Sequence, residues 1–322
     1  MGLSIRHPKG KLSRRWYWDC QINDRSVSVG LCKMQGRPPR EWSLAVPDWK
    51  YWSVESPHLH TVEVNGKKAT FGIRFLNWRG RRLLLNGKPL KLIGVNRHEA
   101  HPEFGAATPE SLIWHDLLAI KRQGFNFIRG SHYPQKEAML DIADRLGLLV
   151  WEEALGWGNR LESLTDPLFA ARQEEQCRKM VRKSFNHPSV IIWGFLNECQ
   201  SEFETARPLV WKLRDLLHEL DGSRPVTFAT YKNQLDKCAA DMDIVSINTY
   251  PDWYDDNRTT ADFSAIGRRL QALSEIFPDK PLIISEIGCA ALYGEENFNR
   301  LKSNKCGKCE GICPQHINIR EM

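Results

Sequence analysis

From about residue 80 onward, short apolar, β-branched runs alternate with longer segments whose apolar residues recur at helical spacing. The runs at 89–96, 125–131, 147–153, 189–198, 225–231, 243–250 and 280–288 predict seven strands. Helices are predicted between them at 109–123, 135–146, 166–186, 202–220 and 260–277. In the second of these, Ala138, Ile142 and Leu146 share one face and the charges lie elsewhere. Gly124, Gly147 and Gly222 close three helices, as expected of left-handed caps ahead of a strand.

Strands alternating with helices argue for βα units and a parallel sheet. Seven strands exceed the six of a Rossmann sheet, and no Gly-rich phosphate loop follows the first one. The expected fold class is therefore α/β, a (β/α)8 TIM-type barrel whose eighth strand is missing from the residues after Glu286. Polar residues stand at the C-terminal strand ends: Asn96, Arg129, Glu152, Glu153, Asn197, Glu198, Tyr250 and Glu286. In this fold that face carries the active site. Residues 1–78 are patterned differently. HLHTVEV at 58–64, the NG pair and KATFGIRF predict a β-hairpin in an incomplete β-sandwich. Three segments result: a partial sandwich at 1–78, the barrel at 79–292, and a tail at 293–322.

Composition narrows the function classes. The 322 residues carry a net charge of +6 spread along the chain, and the local cluster Arg79, Arg81 and Arg82 reads as solvated surface. The aromatic-plus-basic pattern of a nucleic-acid module is missing, so no nucleic-acid partner is expected. No apolar run approaches the roughly 20 residues of a membrane span, so no membrane partner is expected. The basic N-terminal residues lack the apolar core of an export signal, and Gly2 lacks a convincing myristoylation context. Cys20, Cys32, Cys177, Cys199, Cys238 and Cys289 have no disulfide-framework spacing, which suits reduced thiols and a cytoplasmic location.

Two strands end on a carboxylate. Glu198 follows VIIWGFLN and Glu286 follows PLIIS. A strand buried on both faces finishes on a charge only where that charge has a partner or a use. On the strand count, the two glutamates cap the fourth and seventh strands and face each other across the barrel mouth. Two carboxyls about 5 Å apart suit retaining glycoside hydrolysis, one as nucleophile and the other as acid/base. That chemistry needs unlike pKa values, and Arg129 is placed to keep one carboxyl ionised. Either glutamate alone reads more simply as an exposed loop residue. The pair, each preceded by Asn or Ser, favours chemistry.

The motifs NRHE (96–99), RGSHYP (129–134), LNE (196–198), INTYPDWY (247–254) and SEIG (285–288) occur in that order. Together they resemble the barrel of glycoside hydrolase family 2, which contains β-galactosidases, β-glucuronidases and β-mannosidases. The resemblance covers about residues 46–292, and WSVESPHLHTVEV with FGIRF resembles the end of that family's immunoglobulin-like domain. It implies a retaining exo-β-glycosidase acting on a glycoside substrate without a cofactor, with Glu198 as acid/base and Glu286 as nucleophile. Asn197 would then hold the sugar 2-hydroxyl, Arg129 and Tyr250 would orient Glu286, and His98 and His132 would line the sugar subsite. Trp253 and Tyr254 would stack on sugar or pack their loop, and Trp157 and Trp193 are platform or packing residues. Metal-dependent β-galactosidases carry an acidic residue and a histidine two positions apart soon after the third strand. Trp157 and Asn159 hold those places here, so that magnesium site is not expected. The spacing N-x-Y-x-x-W-Y at 248–254 leans toward β-glucuronidases, although their Asn-x-Lys element lies beyond the nucleophile, in a region this sequence does not show. A homo-oligomer is compatible with the family. The alternatives are a β-galactosidase-type enzyme, or an inactive carbohydrate-binding remnant if the barrel is incomplete.

The C-terminal CGKCEGICPQHINI carries Cys306, Cys309 and Cys313, spaced like three of the four ligands of a ferredoxin-type cluster. Ser303 stands at the fourth position, and His316 offers an added ligand for zinc. Nothing in the family calls for iron–sulfur chemistry, and an unliganded tail is the simpler expectation.

Overall fold

The computed structural model describes residues 16–23, 26–33, 43–45, 48–64, 67–232, 236–250 and 264–288. Trp253, Tyr254, Cys306, Cys309 and Cys313 lie outside them.

The named strands of the N-terminal part pair antiparallel. Strands β1 (Trp16–Asn23), β2 (Ser26–Lys33) and β3 (Ser43–Ala45) form one sheet in that order. Strands β4 (His60–Val64) and β5 (Lys67–Phe71) form the hairpin that the alternating pattern predicts, with Val64 opposite Lys67. A meander of β6 (Leu76–Arg79), β7 (Arg82–Leu85) and β8 (Lys88–Pro89) follows.

Seven parallel strands then run in sequence order: β9 (Gly94–Arg97), β10 (Phe127–Gly130), β11 (Leu149–Trp157), β12 (Val190–Asn197), β13 (Val226–Thr230), β14 (Val245–Asn248) and β15 (Leu282–Glu286). Every residue of β12 is buried, as its apolar run requires. No eighth strand occurs among the described residues, yet the two outer strands approach each other: Asn96 on β9 donates to Ser285 O on β15 at 2.9 Å.

Helices α1 (Glu110–Arg122), α2 (Glu137–Leu146), α3 (Leu161–Leu164), α4 (Pro167–Ser184), α5 (Arg207–Leu220) and α6 (Ser264–Ile276) connect the strands. Helix α4 begins where its sequence says it should. Asp166 accepts from the backbone N–H of Leu168 and Phe169, and Pro167 needs no N–H at the first helical position. Three local expectations are corrected. Helix α2 buries Met139, Leu140, Ile142 and Ala143, leaving Ala138 and Leu146 only half-buried, because the buried stripe sits one residue off the predicted face. Gly124 and Gly147 adopt positive φ, but Gly222 does not, since Asp221 already ends α5 in an extended conformation. The predicted helix at 202–220 is a short 3-10 turn, Glu204–Ala206, followed by α5.

The barrel has a closed lower end. Leu76, Leu83 and Leu85 of the meander, with Trp52, pack against Phe127, Leu149, Ile191 and Ile192 near the N-terminal ends of the strands. Arg74 fastens this plug by donating to Pro188 O at 2.6 Å and Val190 O at 2.5 Å. Deep in the barrel, Trp151 occupies space that a side chain at position 194 would need. A Cβ built on Gly194 would lie 1.9 Å from the indole nitrogen. This packing leaves the opposite, C-terminal end as the place where polar groups collect.

Candidate active site

Arg129 organises the upper end. It rises from β10 with its guanidinium 4.6 Å above the Trp151 ring, and it is buried. Its Nε and Nη2 donate to Glu153 Oε2 at 3.0 and 2.8 Å, Nη1 donates to Glu286 Oε1 at 2.6 Å, and Nη2 also reaches Asn197 Oδ1 at 2.9 Å. One cation thus gathers β10, β11, β12 and β15 at a single level. Glu153 completes the ring by meeting His132 Nδ1 at 3.1 Å, while His132 Nε2 lies 3.7 Å from Glu286 Oε1.

The end of β12 is shaped by its backbone. Leu196 and Glu198 adopt φ of 58° and 50°, in the left-handed region, and the pairing with β13 shifts register between Gly194 and Asn197. A flat strand would send Asn197 and Glu198 to opposite faces. The irregularity instead brings both to the pocket, and the strain of two non-glycine residues in this region is the kind that accumulates at functional sites. Asn248 Nδ2 ties the pair together, donating to Asn197 Oδ1 at 3.1 Å and to Glu198 Oε1 at 2.8 Å. The Asn197 oxygen therefore serves Arg129 and Asn248, which leaves its amide nitrogen as the donor for a ligand.

The two glutamates experience opposite fields. Burial raises the Glu198 carboxyl, and the nearby negative Glu286 raises it further. The hydrogen bond from Asn248 opposes this without reversing it. Burial also acts to raise Glu286, but the charge of Arg129, the neighbouring His132 and the hydrogen bonds from Tyr250 and Arg129 hold it below the ordinary glutamate value. The Tyr250 hydroxyl donates to Glu286 Oε2 at 2.5 Å. The two carboxyls are thus shifted in opposite directions, Glu286 down and Glu198 up.

The remaining expected residues fall as follows. The His98 ring stands 5.3 Å from that of His132, edge to face, and burial with the neighbouring His132 pushes its pKa down to about 4. His132 thus stands between His98 and Glu286. Trp193 is a packing residue: it is fully buried on the outer side of β12 and donates to Asp221 Oδ2 at 2.8 Å. Trp157 is exposed at the mouth. Two residues absent from the expected site belong to it, Glu153 and Asn248. Glu153 was visible in sequence as a polar strand end, and Asn248 as the first residue of N-x-Y-x-x-W-Y, but their partners were not.

Among the described residues one group offers clustered metal-type ligands, Asp141, Asp144 and His187, at the opposite end of the barrel. Asp144 is already committed, with Oδ2 2.7 Å from His187 Nδ1 and Oδ1 accepting from Ser189 N at 2.9 Å. This cluster is read as a structural tie.

A parallel barrel with two oppositely tuned carboxyls at its C-terminal mouth defines the class of barrel glycosidase folds. Residues 76–306 match the model of the glycosyl hydrolases family 2 TIM barrel domain, and the chain belongs to that family. A β-glucuronidase from Chlorocebus aethiops is 32% identical over 263 residues, covering 76% of this chain and 40% of the relative. A β-galactosidase from Thermoanaerobacterium thermosulfurigenes is 34% identical over 187 residues, covering 55% of this chain and 25% of the relative. Among solved structures, a family 2 β-galacturonidase from Eisenbergiella tayi bound to galacturonate superposes with a TM-score of 0.73 at 32% identity, covering 85% of this chain and 55% of that one. The chain spans about two-fifths of the length of the β-glucuronidase it matches.

Proposed function

We propose that this protein is a retaining exo-β-glycosidase acting on terminal β-linked sugars, with uronides such as β-glucuronides the leading substrate class. The opposite tuning of Glu198 and Glu286 carries the reading. Glu286, ionised by Arg129 and Tyr250, attacks the anomeric carbon as Glu198 passes its proton to the glycosidic oxygen and the C–O bond breaks. Glu198, now a carboxylate, takes a proton from water. The water oxygen attacks the same carbon and releases Glu286. In this reading the Asn197 amide nitrogen donates to the sugar 2-hydroxyl, a contact that strengthens as the oxocarbenium-like state develops. The sequence is chemically complete with two carboxyls and needs no cofactor. The three tail cysteines, if they hold zinc or an iron–sulfur cluster, stand outside it. Uronides are favoured by the β-glucuronidase and β-galacturonidase relatives. A β-galactosidase reading has support from the relative of that name, but Trp157 and Asn159 stand at the places a metal-dependent one would need for ligands. Buried Cys177, Cys199 and Cys238, all free thiols, suit a cytoplasmic setting, and a homo-oligomer is part of the proposal.

The test is a panel of 4-nitrophenyl β-D-glucuronide, galacturonide, galactoside, glucoside and mannoside, with Glu286→Gln as control. Turnover is expected on at least one uronide and abolished in the variant. Wild-type protein that binds these glycosides without cleaving any of them would instead indicate a carbohydrate-binding remnant.

A further inference from the structure

Consecutive glutamates on β11 hold one loop from opposite sides. The loop, residues 131–136, leaves β10 at the mouth and leads out to α2. On the inner side of the barrel it carries His132, whose Nδ1 meets Glu153 Oε1 at 3.1 Å and whose Nε2 lies 3.7 Å from Glu286 Oε1. On the outer side it carries Gln135, whose backbone N–H donates to Glu152 Oε2 at 3.2 Å. Adjacent strand residues point to opposite faces, so Glu153 reaches the loop from within and Glu152 from behind.

Glu152 is fully buried, as is Gln135. A carboxylate in that position is costly unless donors meet its oxygens. Three converge on it. Besides Gln135 N, Ser184 Oγ donates to Oε1 at 2.9 Å and Lys183 Nζ stands 3.3 Å from the same oxygen, both from the last turn of α4. Lys183 also donates to Gln135 O, so the ion pair closes on both backbone polar groups of one residue. A tie between α4 and β11 alone needs no charge, since apolar packing serves as well. The buried amide and carbonyl of Gln135 do need partners.

This clamp lies three residues from His132, and the intervening chain is stiff. Pro134 has a fixed φ, and Gln135 Nε2 donates to Tyr133 O at 3.0 Å. The Gln135 side chain packs so closely on Gly130 that a Cβ there would lie 2.5 Å from its Cγ. On the β9 side, Ser131 N donates to Arg97 O at 3.1 Å and Lys136 N to Glu99 Oε1 at 2.6 Å. Those contacts leave the approach of the loop to β11 to be set by Glu152 and Lys183.

We propose that Glu152 and Lys183 are positioning residues that hold His132 against Glu153 and Glu286. The proposal rests on the glycosidase reading only for the task of Glu286. His132 is one of the groups that keep the Glu286 carboxyl below its ordinary value, together with Arg129 and Tyr250. Glu198 and His98 also feel the charge of Glu286. Loosening the clamp raises the Glu286 value while these other groups stay in place.

Glu152→Gln, Lys183→Met and Lys183→Arg on the full chain test it in two measurements. The first is kcat/KM against pH on whichever glycoside is cleaved. Glu152→Gln and Lys183→Met are expected to move the acidic limb to higher pH and to lose about 10-fold at the optimum, within the reach of a small misplacement. Lys183→Arg keeps a cation and its donors and is expected to hold the wild-type profile. A lowered Tm with an unmoved acidic limb reduces the pair to a structural tie and overturns the proposal. Lys183 is partly exposed, so its two variants decide the question should Glu152→Gln not fold. The second measurement reads the chemical shifts of the His132 ring nitrogens by NMR and needs no turnover. They are expected to move in Glu152→Gln and Lys183→Met but not in Lys183→Arg, with those of His218 on α5 unchanged throughout. Unmoved His132 shifts overturn the proposal even where activity falls. A chain that cleaves no glycoside yet shows this pattern of shifts would refute the glycosidase reading and leave the positioning role standing.

Discussion

Arg129 gives two of its nitrogens to Glu153 and one to Glu286, so Glu286 shares its arginine with a second, fully buried glutamate. The shared cation helps to hold the Glu286 carboxyl below the ordinary glutamate value, while Glu153 draws on the same positive charge. Ionised, but not over-stabilised, is the state a nucleophile requires.

The two limbs of the pH profile follow from the opposite shifts. Activity requires ionised Glu286, so it falls as pH drops through a pKa held below the ordinary glutamate value. It also requires protonated Glu198, so it falls as pH rises through a pKa lifted above that value. Glu198→Ala is expected to remove the basic limb and to cost about 10²- to 10⁴-fold on substrates with poor leaving groups. Activated aryl substrates should be spared, with partial rescue by azide. A basic limb that survives in this variant assigns the acid elsewhere.

Tyr250→Phe removes a 2.5 Å hydrogen bond to Glu286 and nothing else of the ring. Without it the Glu286 pKa rises, so the acidic limb of kcat/KM moves to higher pH. The loss at the optimum is about 10- to 100-fold, from a charge-assisted bond worth about 1.5–3 kcal/mol. A pH–rate series on the two proteins checks both effects.

Gly194→Ala inserts a Cβ 1.9 Å from the Trp151 indole nitrogen, beneath the ring that supports Arg129. Overpacking of this kind costs about 1–3 kcal/mol. A lowered Tm is expected together with reduced kcat/KM, because displacement of Trp151 moves the arginine. Ala at Gly158, where an added Cβ meets nothing within 4 Å, provides the contrast, its positive φ of 62° adding only local strain.

At the closed end, Asp144 ties His187, Ser189 N and, through its own carbonyl, Trp52 Nε1. Burial acts to lower the His187 pKa, but the hydrogen bond and charge of Asp144 raise it overall. A raised folded pKa means that the pair's stabilisation is complete below the ordinary imidazole value of about 6.5 and is lost as pH climbs through the folded value. Asp144→Ala is expected to cost about 3 kcal/mol and to flatten stability against pH above that point. Denaturant melts at several pH values read this directly.

The strand and helix rhythm was legible because a strand buried on both faces must be continuously apolar, as β12 is, and because helices beside it must carry one apolar stripe. Glu198 and Glu286 were legible for a related reason: a charge at the end of such a run is too costly to be incidental. Asn197, Arg129, Tyr250, His98 and His132 followed from ordered motifs, and all five lie at the same mouth. Less was readable where one residue type serves two ends equally well. Trp157 and Trp193 look alike in sequence, yet one stands exposed at the end of β11 and the other is sealed behind β12 against Asp221.

The sequence by itself determined the order of the strands, the open face and the two carboxyls, since these depend on periodicity and on the cost of burying charge. Only the tertiary structure decided in which direction each carboxyl's pKa is shifted, because that depends on what surrounds it. Glu286 meets Arg129 and Tyr250, Glu198 meets Asn248, and all three partners are brought from strands distant in the chain. It also decided that Glu153 belongs to the site and Glu152 does not. The adjacent side chains point to opposite faces of β11, and Glu152 finds Ser184 and Gln135 on the outer side instead.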